Sequence, residues 1–258
     1  MVRRIDLNAD VGEERGDDEA LLAVVTSANV ATGAHAGGGA VLDHTVRLAA
    51  AASCSVGAHP SYRDRENFGR VTMAAAVELP ALIDDLVEQV LAVANACRRH
   101  HATFSHVKAH GALYNDATTS DSLAAALVAM VLEVRQRVAI GDLALMGPAG
   151  SAVERAAARA GIPFVREAFA DRAYMASGLL APRTVPNAVI DDTDVVVARA
   201  LDMAEGRAIE TLDDELLVVP ADSICLHGDT PGAVGHAREI RRALESAGVD
   251  VRAPRVDR

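Results

Sequence analysis

Four histidines each follow a short apolar run and precede a small or turn-forming residue. They are His35 in "NVATGAHAGGG", His59 in "CSVGAHPSY", His110 in "SHVKAHGALYN" and His227 in "SICLHGDTPG". Histidine titrates near neutral pH, so it serves as a general acid or base, and its neutral ring binds metal ions. Four histidines in equivalent positions indicate one shared site rather than four separately packed side chains.

Other ionisable and hydrogen-bonding side chains occupy the same kind of position. The first apolar run carries Asp6, Asn8 and Asp10, which strand periodicity places on one face, and Glu13 follows closely. If this run is the first strand of a barrel, that face points inward. Further candidates after the other runs are Arg70, Lys108, Tyr114, Asn115, Asp171, Arg172 and Asp229.

Strand patterns and helix patterns alternate along the chain. Strands are predicted at 5–9, 28–33, 55–58, 104–109, 143–147, 164–167 and 223–227, and helices at 78–99, 119–138, 151–160, 193–206 and 230–247. This alternation predicts a parallel sheet covered by helices. We expect one (β/α)-barrel domain over residues 1–258, with about seven strands and an irregular excursion at 174–220; an open doubly wound sheet is the alternative. In both architectures functional groups gather at the carboxyl ends of the strands.

Composition argues against several classes of function. The net charge is −11 and no basic stripe is present, which disfavours binding to nucleic acid or to an anionic membrane surface. No apolar run reaches 18 residues, and "MVRRIDLNAD" turns polar too early for a signal peptide. The three cysteines are widely spaced, so we expect reduced, buried thiols in a cytoplasmic protein.

The few aromatic residues are concentrated in the predicted loops. The chain has four Phe, three Tyr and no Trp. Five of these seven fall in the loops after the strands: Tyr62, Phe68, Tyr114, Phe169 and Tyr174. We expect them to line a pocket.

Six motifs, in order, resemble the LamB/YcsF family, which is associated with the A subunit of prokaryotic 5-oxoprolinase. They are "DLNADVGE", "SANVATGAHAGG", "VGAHPSYRD" with "FGR", "HVKAHGALYN", "REAFADRAY" and "CLHGDTPGA", and they span about residues 5 to 250. The resemblance implies a barrel like that of the glycoside hydrolase/deacetylase superfamily, either regular or in a distorted or incompletely closed form. It also implies ATP-dependent opening of 5-oxo-L-proline to L-glutamate, with ADP and phosphate released, alongside subunits B and C.

The chain departs from the usual family motifs at several positions. Thr32, Ala34 and Gly38 stand where Cys, Phe and Asp are usual, and Ala109 replaces a Pro. The loop after Glu13 is shorter than in typical members.

Roles for the residues follow from the implied reaction. Phosphorylation of the ring carbonyl oxygen by ATP would let water attack, with Lys108 and Arg172 offsetting phosphate or carboxylate charge. His110 or His59 would be the general base, and Asp10 or Glu13 would orient it or hold the Mg²⁺ of ATP. The predicted catalytic residues are Asp10, Glu13, His35, His59, Lys108, His110 and His227. The predicted substrate-binding residues are Asn8, Arg70, Tyr114, Asn115, Asp171, Arg172 and Asp229.

Two alternatives use the same residues. Asp10, His59 and His110 could bind a metal ion, as an Asp-plus-two-His set does in related barrel deacetylases, and the metal would activate water without ATP. Alternatively, the chain binds the lactam or delivers an intermediate while its partners use ATP. The absence of a P-loop motivates this second alternative, since the glycine run "GAHAGGG" lacks the GK[ST] ending.

Overall fold

The computed structural model describes residues 3–226 and 232–254, and a ring of parallel strands lies at their centre. The strands are β1 (Arg4–Val11), β2 (Ser27–Ala31), β3 (Ser55–His59), β4 (Phe104–Lys108), β5 (Ala144–Pro148), β6 (Phe164–Phe169), β7 (Ala208–Glu210), β8 (Leu216–Val218), β9 (Ser223–Leu226) and β10 (Asp250–Val251). Strands β1 to β6 pair in sequence order, and β9 pairs with both β6 and β1. This double pairing closes a seven-stranded barrel, which confirms the predicted fold class and excludes the open sheet. The short β10 lies beside the start of β1.

Helices cover the outside of the barrel. They are α1 (Asp18–Leu22), α2 (Gly39–Ala51), α3 (Leu79–His100), α4 (Gly111–Thr119), α5 (Asp121–Val138), α6 (Ala152–Arg159), α7 (Thr193–Glu205) and α8 (Ala233–Ser246). Helices α2, α3, α5 and α6 pack side by side, and α7 packs on α8. The apolar core lies between this layer and the outward faces of the strands.

Capping residues explain why several helices begin where the sequence predicts. The Ser120 hydroxyl accepts a hydrogen bond from Leu123 N at the start of α5, and Ser151 does the same for Glu154 N at α6. Helices α3, α5, α6 and α7 agree with the predicted ranges within two residues. Helix α8 begins at Ala233, and the residues predicted to open it, Thr230 and Pro231, lie outside the described part of the chain.

Three helices, α1, α2 and α4, and the short strands β7, β8 and β10 escaped prediction. Helix α4 follows His110, whose side chain makes no capping hydrogen bond, and it begins at a glycine, so nothing in its sequence marks a start. Strands β7 and β8 form a two-stranded antiparallel hairpin within the predicted excursion. Each of the two strands has only three residues, too few for a periodic pattern.

The interior of the barrel is polar along β1. Its apolar residues point outward, whereas Asp6 and Asn8 point inward and are almost completely buried. Asn29 of β2 donates to Asn8 Oδ1 (2.7 Å) and to Asp10 Oδ1 (2.8 Å), and Asn8 donates to the Ser223 hydroxyl of β9 (2.7 Å). These bonds satisfy the buried amides and tie three strands together.

His106 completes this interior network. Its Nε2 lies 2.7 Å from Asn29 Oδ1, which only accepts, so Nε2 carries the proton. Burial, with the nearby charge of Lys108, lowers the pKa of His106 to about 3. Gly57 provides the space for the ring, because a Cβ at that position would lie 2.1 Å from His106 Nε2. These contacts give His106 a structural role inside the barrel.

Asp6 makes the stability of the barrel depend on pH. Hydroxyls of Thr26, Ser27 and Ser223 donate to it, yet burial raises its pKa from 3.8 to about 6. Because the pKa of Asp6 is higher in the folded than in the unfolded state, the protonated carboxyl stabilises the fold. This contribution to the unfolding free energy is complete below the unfolded-state pKa and is lost as the pH rises through about 6. We expect Asp6→Asn to gain stability relative to the unsubstituted protein between pH 4 and 7, by at most about 3 kcal/mol.

Urea unfolding across that pH range measures the difference. Asp43→Asn is the matched control, because hydrogen bonds from Arg99 and His100 lower the pKa of that exposed carboxyl. Asp43→Asn should therefore lower the unfolding free energy, whereas Asp6→Asn should raise it. A difference for Asp6→Asn that stays constant with pH would contradict the prediction.

Candidate active site

The predicted catalytic side chains meet at the carboxyl ends of the barrel strands. His59 and Lys108 are the last residues of β3 and β4, and Asp10 is the penultimate residue of β1. Parallel strands end on one face of a barrel, so these side chains converge there with Glu13, His35 and His110 from the following loops. His227, the seventh predicted residue, lies outside the described residues.

The loop that carries His35 depends on glycine. Gly38 has φ +87°, and a Cβ on it would lie 2.7 Å from the Cα of Gly33. The two segments touch backbone to backbone, so a side chain at position 38 would not fit this loop. Gly38 is therefore a requirement of the local backbone.

The histidine cluster (His35, His59 and His110) is compact and buried. The rings of His35 and His110 stack with centroids 3.7 Å apart, and His110 Nδ1 lies 3.0 Å from His59 Nε2. Glu13 Oε1 lies 3.1 Å from His35 Nε2 and 3.4 Å from His110 Nδ1. Burial, with the neighbouring His59, lowers the pKa of His35 to about 3 and that of His110 well below its ordinary value. Both rings are therefore neutral.

Lys108 lies between two carboxylates beside this cluster. Its Nζ is 2.8 Å from Asp10 Oδ1 and 2.9 Å from Glu167 Oε1, and both partners come from other strands. Burial alone would lower the pKa of Lys108, but the charges of Asp10 and Glu167, with the hydrogen bond to Asp10, raise it well above its ordinary value. The ammonium is thus fixed in its charged form.

A pocket of about 680 Å³ opens above these groups. Asp10, Glu13, His59, Lys108, His110 and Glu167 form its floor. Its walls carry three guanidinium side chains and an apolar set: Arg70, Arg172, Arg183, Phe169, Leu179, Leu180 and Pro182. The pocket therefore combines an acidic floor with a basic wall.

The predicted substrate-binding residues divide into three groups. Arg70, Tyr114, Asn115 and Arg172 line the pocket. Asn8 does not, because its amide is engaged inside the barrel, and this placement favours a structural role. Asp171 is buried and also lies outside the pocket lining. Asp229 falls outside the described residues.

Two charged pocket residues were missing from the predicted site. Glu167 lies two residues before the end of β6, where the predicted strand 164–167 ended, so the same strand-end signal could have identified it. Arg183 comes from the irregular segment after β6, where no periodic pattern places a side chain.

A metal ion could be held by Glu13, His35, His59 and His110. One ligand atom from each lies within 4.8 Å of the others, and all four side chains are buried. The set differs from the predicted Asp10, His59 and His110. Asp10 Oδ2 is 3.3 Å from His59 Nε2, but its other oxygen pairs with Lys108.

Sequence comparison agrees with the resemblance seen in the motifs. A family model described as the LamB/YcsF family matches residues 5–257. The chain belongs to the LamB/YcsF family. It is 48% identical over 255 residues to a protein of Streptomyces griseus that is named as the A subunit of 5-oxoprolinase, covering 96% of this chain and 99% of that protein.

Solved structures agree with the fold. A crystal structure of a lactam utilization protein from Thermus thermophilus matches with a TM-score of 0.87 and 39% identity, covering 97% of this chain and 100% of that one. A family 4 carbohydrate esterase from Streptomyces lividans matches with a TM-score of 0.51 at 11% identity, over 98% of this chain and 94% of the esterase, which is a likeness of fold alone. In the described part of the chain, no single helix has the length and apolar character needed to cross a bilayer.

Two buried arginines fix the wall of the pocket. Arg172 donates to Ala181 O (2.6 Å) and Ala188 O (3.1 Å), which holds the loop that carries Arg183. Arg199 of α7 donates to Arg172 O (2.8 Å), and also to Ala170 O and Glu210 O. Arg172 thus organises the wall as well as lining the pocket.

Arg199→Met should loosen this wall. It leaves three carbonyls without their donor, so we expect a loss of about 2–4 kcal/mol in unfolding free energy and faster proteolysis between residues 172 and 192. Urea denaturation and limited proteolysis provide the measurements. Arg207→Met, which breaks an exposed ion pair with Asp202, is the control and should cost under about 0.5 kcal/mol. Equal effects of the two substitutions would contradict the assigned role of Arg199.

Proposed function

We propose that this chain is the A subunit of an ATP-dependent 5-oxoprolinase that opens 5-oxo-L-proline to L-glutamate with release of ADP and phosphate. The observation that carries the proposal is the pocket, in which acidic, basic and imidazole groups converge, in a chain 48% identical to a protein of that name. The likeness to a lactam utilization protein supports the same class of substrate.

The two charged regions of the pocket suit a cyclic amide that carries a carboxylate. Arg70, Arg172 and Arg183 on the wall can pair with the carboxylate, since guanidinium groups bind carboxylates and phosphates through paired hydrogen bonds. The lactam ring then faces the floor, where acidic side chains can accept its N–H. Lys108 offsets negative charge that develops on the carbonyl oxygen.

The reaction needs activation because a five-membered lactam is an unstrained amide. Transfer of the terminal phosphoryl group of ATP to the ring carbonyl oxygen makes the carbonyl carbon electrophilic. Water adds to that carbon, the ring C–N bond breaks with protonation of the amine, and a second water releases phosphate from the acyl phosphate. The histidine cluster with Glu13 is the group placed to activate water.

Two further subunits, B and C, complete the proposed enzyme. The name of the Streptomyces griseus relative, which labels it one lettered subunit of 5-oxoprolinase, supports a complex of several chains. Since the sequence contains no P-loop, we propose that the partners bring ATP and its Mg²⁺ to this pocket or use them before transfer. The three cysteines are unpaired and buried, which supports a reducing, cytoplasmic setting.

His110→Ala tests the role of the cluster in turnover. A positioned proton-transfer group contributes about 10²–10⁴-fold, so we expect turnover of 5-oxoproline by the complex of all three chains to fall by that factor. Released glutamate and phosphate are the measured products. His44→Ala, an exposed histidine of α2, is the matched control and should leave turnover unchanged. A rate for His110→Ala within about threefold of the unsubstituted protein would remove His110 from the mechanism.

A separate assay tests whether this chain uses ATP by itself or only together with B and C. We expect no ATP-dependent 5-oxoprolinase activity from this chain alone, and activity when B and C are added. Full activity of the isolated chain would show that it uses ATP itself. No activity of the reconstituted complex would overturn the proposed function.

A further inference from the structure

We infer that Glu13 and the histidine cluster form a binding site for a transition-metal dication, with Glu13 Oε1, His35 Nε2, His59 Nε2 and His110 Nδ1 as the ligand atoms. The catalytic consequence of such an ion rests on the proposed function, but its binding does not.

Backbone carbonyls fix the outward-facing nitrogens of His59 and His110. His59 Nδ1 is 2.8 Å from Lys108 O and His110 Nε2 is 3.0 Å from Phe68 O; both partners are carbonyls, which only accept. These two ring nitrogens therefore carry protons. When both rings are neutral, His59 Nε2 and His110 Nδ1 present lone pairs.

Ser61 contacts the outer nitrogen of His35. Its hydroxyl lies 2.8 Å from Tyr62 O and 3.1 Å from His35 Nδ1. When the hydroxyl donates to Tyr62 O, it accepts the proton of His35 Nδ1, and His35 Nε2 then presents a lone pair to the cluster. Metal-binding histidines usually donate their second N–H to a carbonyl or another polar group, which sets their orientation and basicity.

The inner nitrogens of the cluster face one another and Glu13. His59 Nε2 and His110 Nδ1 lie 3.0 Å apart, and His35 Nε2 lies 3.1 Å from Glu13 Oε1. When the rings of His59 and His110 are neutral, two lone pairs meet across the first contact. A cation among the four atoms would bind both lone pairs and the carboxylate, so the cluster suits a metal ion as well as proton transfer.

The distances suit a first-row transition metal. Ligand–metal bonds of about 2.0–2.1 Å in a tetrahedron place ligand atoms about 3.4 Å apart. The measured separations include 3.0, 3.1, 3.4 and 4.0 Å. Three imidazole nitrogens and one carboxylate oxygen favour Zn²⁺ or Co²⁺ over Mg²⁺, which prefers oxygen ligands. The ion would thus be distinct from the Mg²⁺ that accompanies ATP.

Metal binding by the full-length chain tests the inference. We expect one equivalent of Zn²⁺ to bind the chelator-treated protein in calorimetry, and Co²⁺ to give the visible absorption of a four- or five-coordinate site. Glu13→Gln and His35→Gln should each weaken binding by more than about 100-fold, because loss of an outer partner alone costs about 10–100-fold. Ser61→Ala, which only releases the orientation of His35, should cost about 10–100-fold.

Two controls keep the test independent of folding and of activity. Asp10→Asn should still bind one equivalent of metal. Loss of metal binding in this folded variant would instead indicate the ligand set Asp10, His59 and His110. Thermal unfolding of each metal-free variant checks that the fold is intact. The inference is overturned if the folded, unsubstituted chain binds no stoichiometric metal, or if folded Glu13→Gln and His35→Gln bind it as tightly as the unsubstituted chain. Because no lactam, ATP or partner is used, a failure here is distinguishable from a failure of the proposed function.

Discussion

The buried ammonium of Lys108, held between Asp10 and Glu167, is the interaction on which the site depends. It connects the ends of β4, β1 and β6 across the barrel, with N–O distances of 2.8 and 2.9 Å. Removing one member of such a buried group leaves an uncompensated charge and typically costs about 3–5 kcal/mol. Asp10 is thereby held next to His59, so the ion pair also shapes the surroundings of the histidine cluster.

The polar barrel interior supports this arrangement from below. Barrels of this kind are usually filled with branched apolar side chains, but here the interior of β1 carries Asp6 and Asn8. Hydrogen bonds run from Ser223 through Asn8 and Asn29 to Asp10 without a break. The pocket floor is therefore fixed by directional bonds, which define positions more sharply than apolar contacts do.

Sequence reasoning succeeded where the signal was local and periodic. The alternation of apolar runs with amphipathic helices predicted the barrel, and histidines at equivalent strand ends predicted that His35, His59 and His110 would lie near one another. It failed where the decisive fact was three-dimensional. Asn8 and Asp10 share one face of β1, and only the partners that each meets inside the barrel separate a structural amide from a pocket carboxylate. The ring tautomers likewise depend on the carbonyls of Phe68 and Lys108, which no pattern of residue types reveals.

The pairing of β10 with the first residues of β1 has a practical consequence. Arg4 is opposite Asp250, and Asp250 N donates to Arg3 O at 2.8 Å, so the two ends of the described chain are neighbours. They lie at the amino ends of the strands, on the face of the barrel opposite the pocket. An affinity tag or surface tether at either end therefore leaves the pocket mouth open to visiting partners. A short linker between the ends would also permit circular permutation with new termini in an exposed loop.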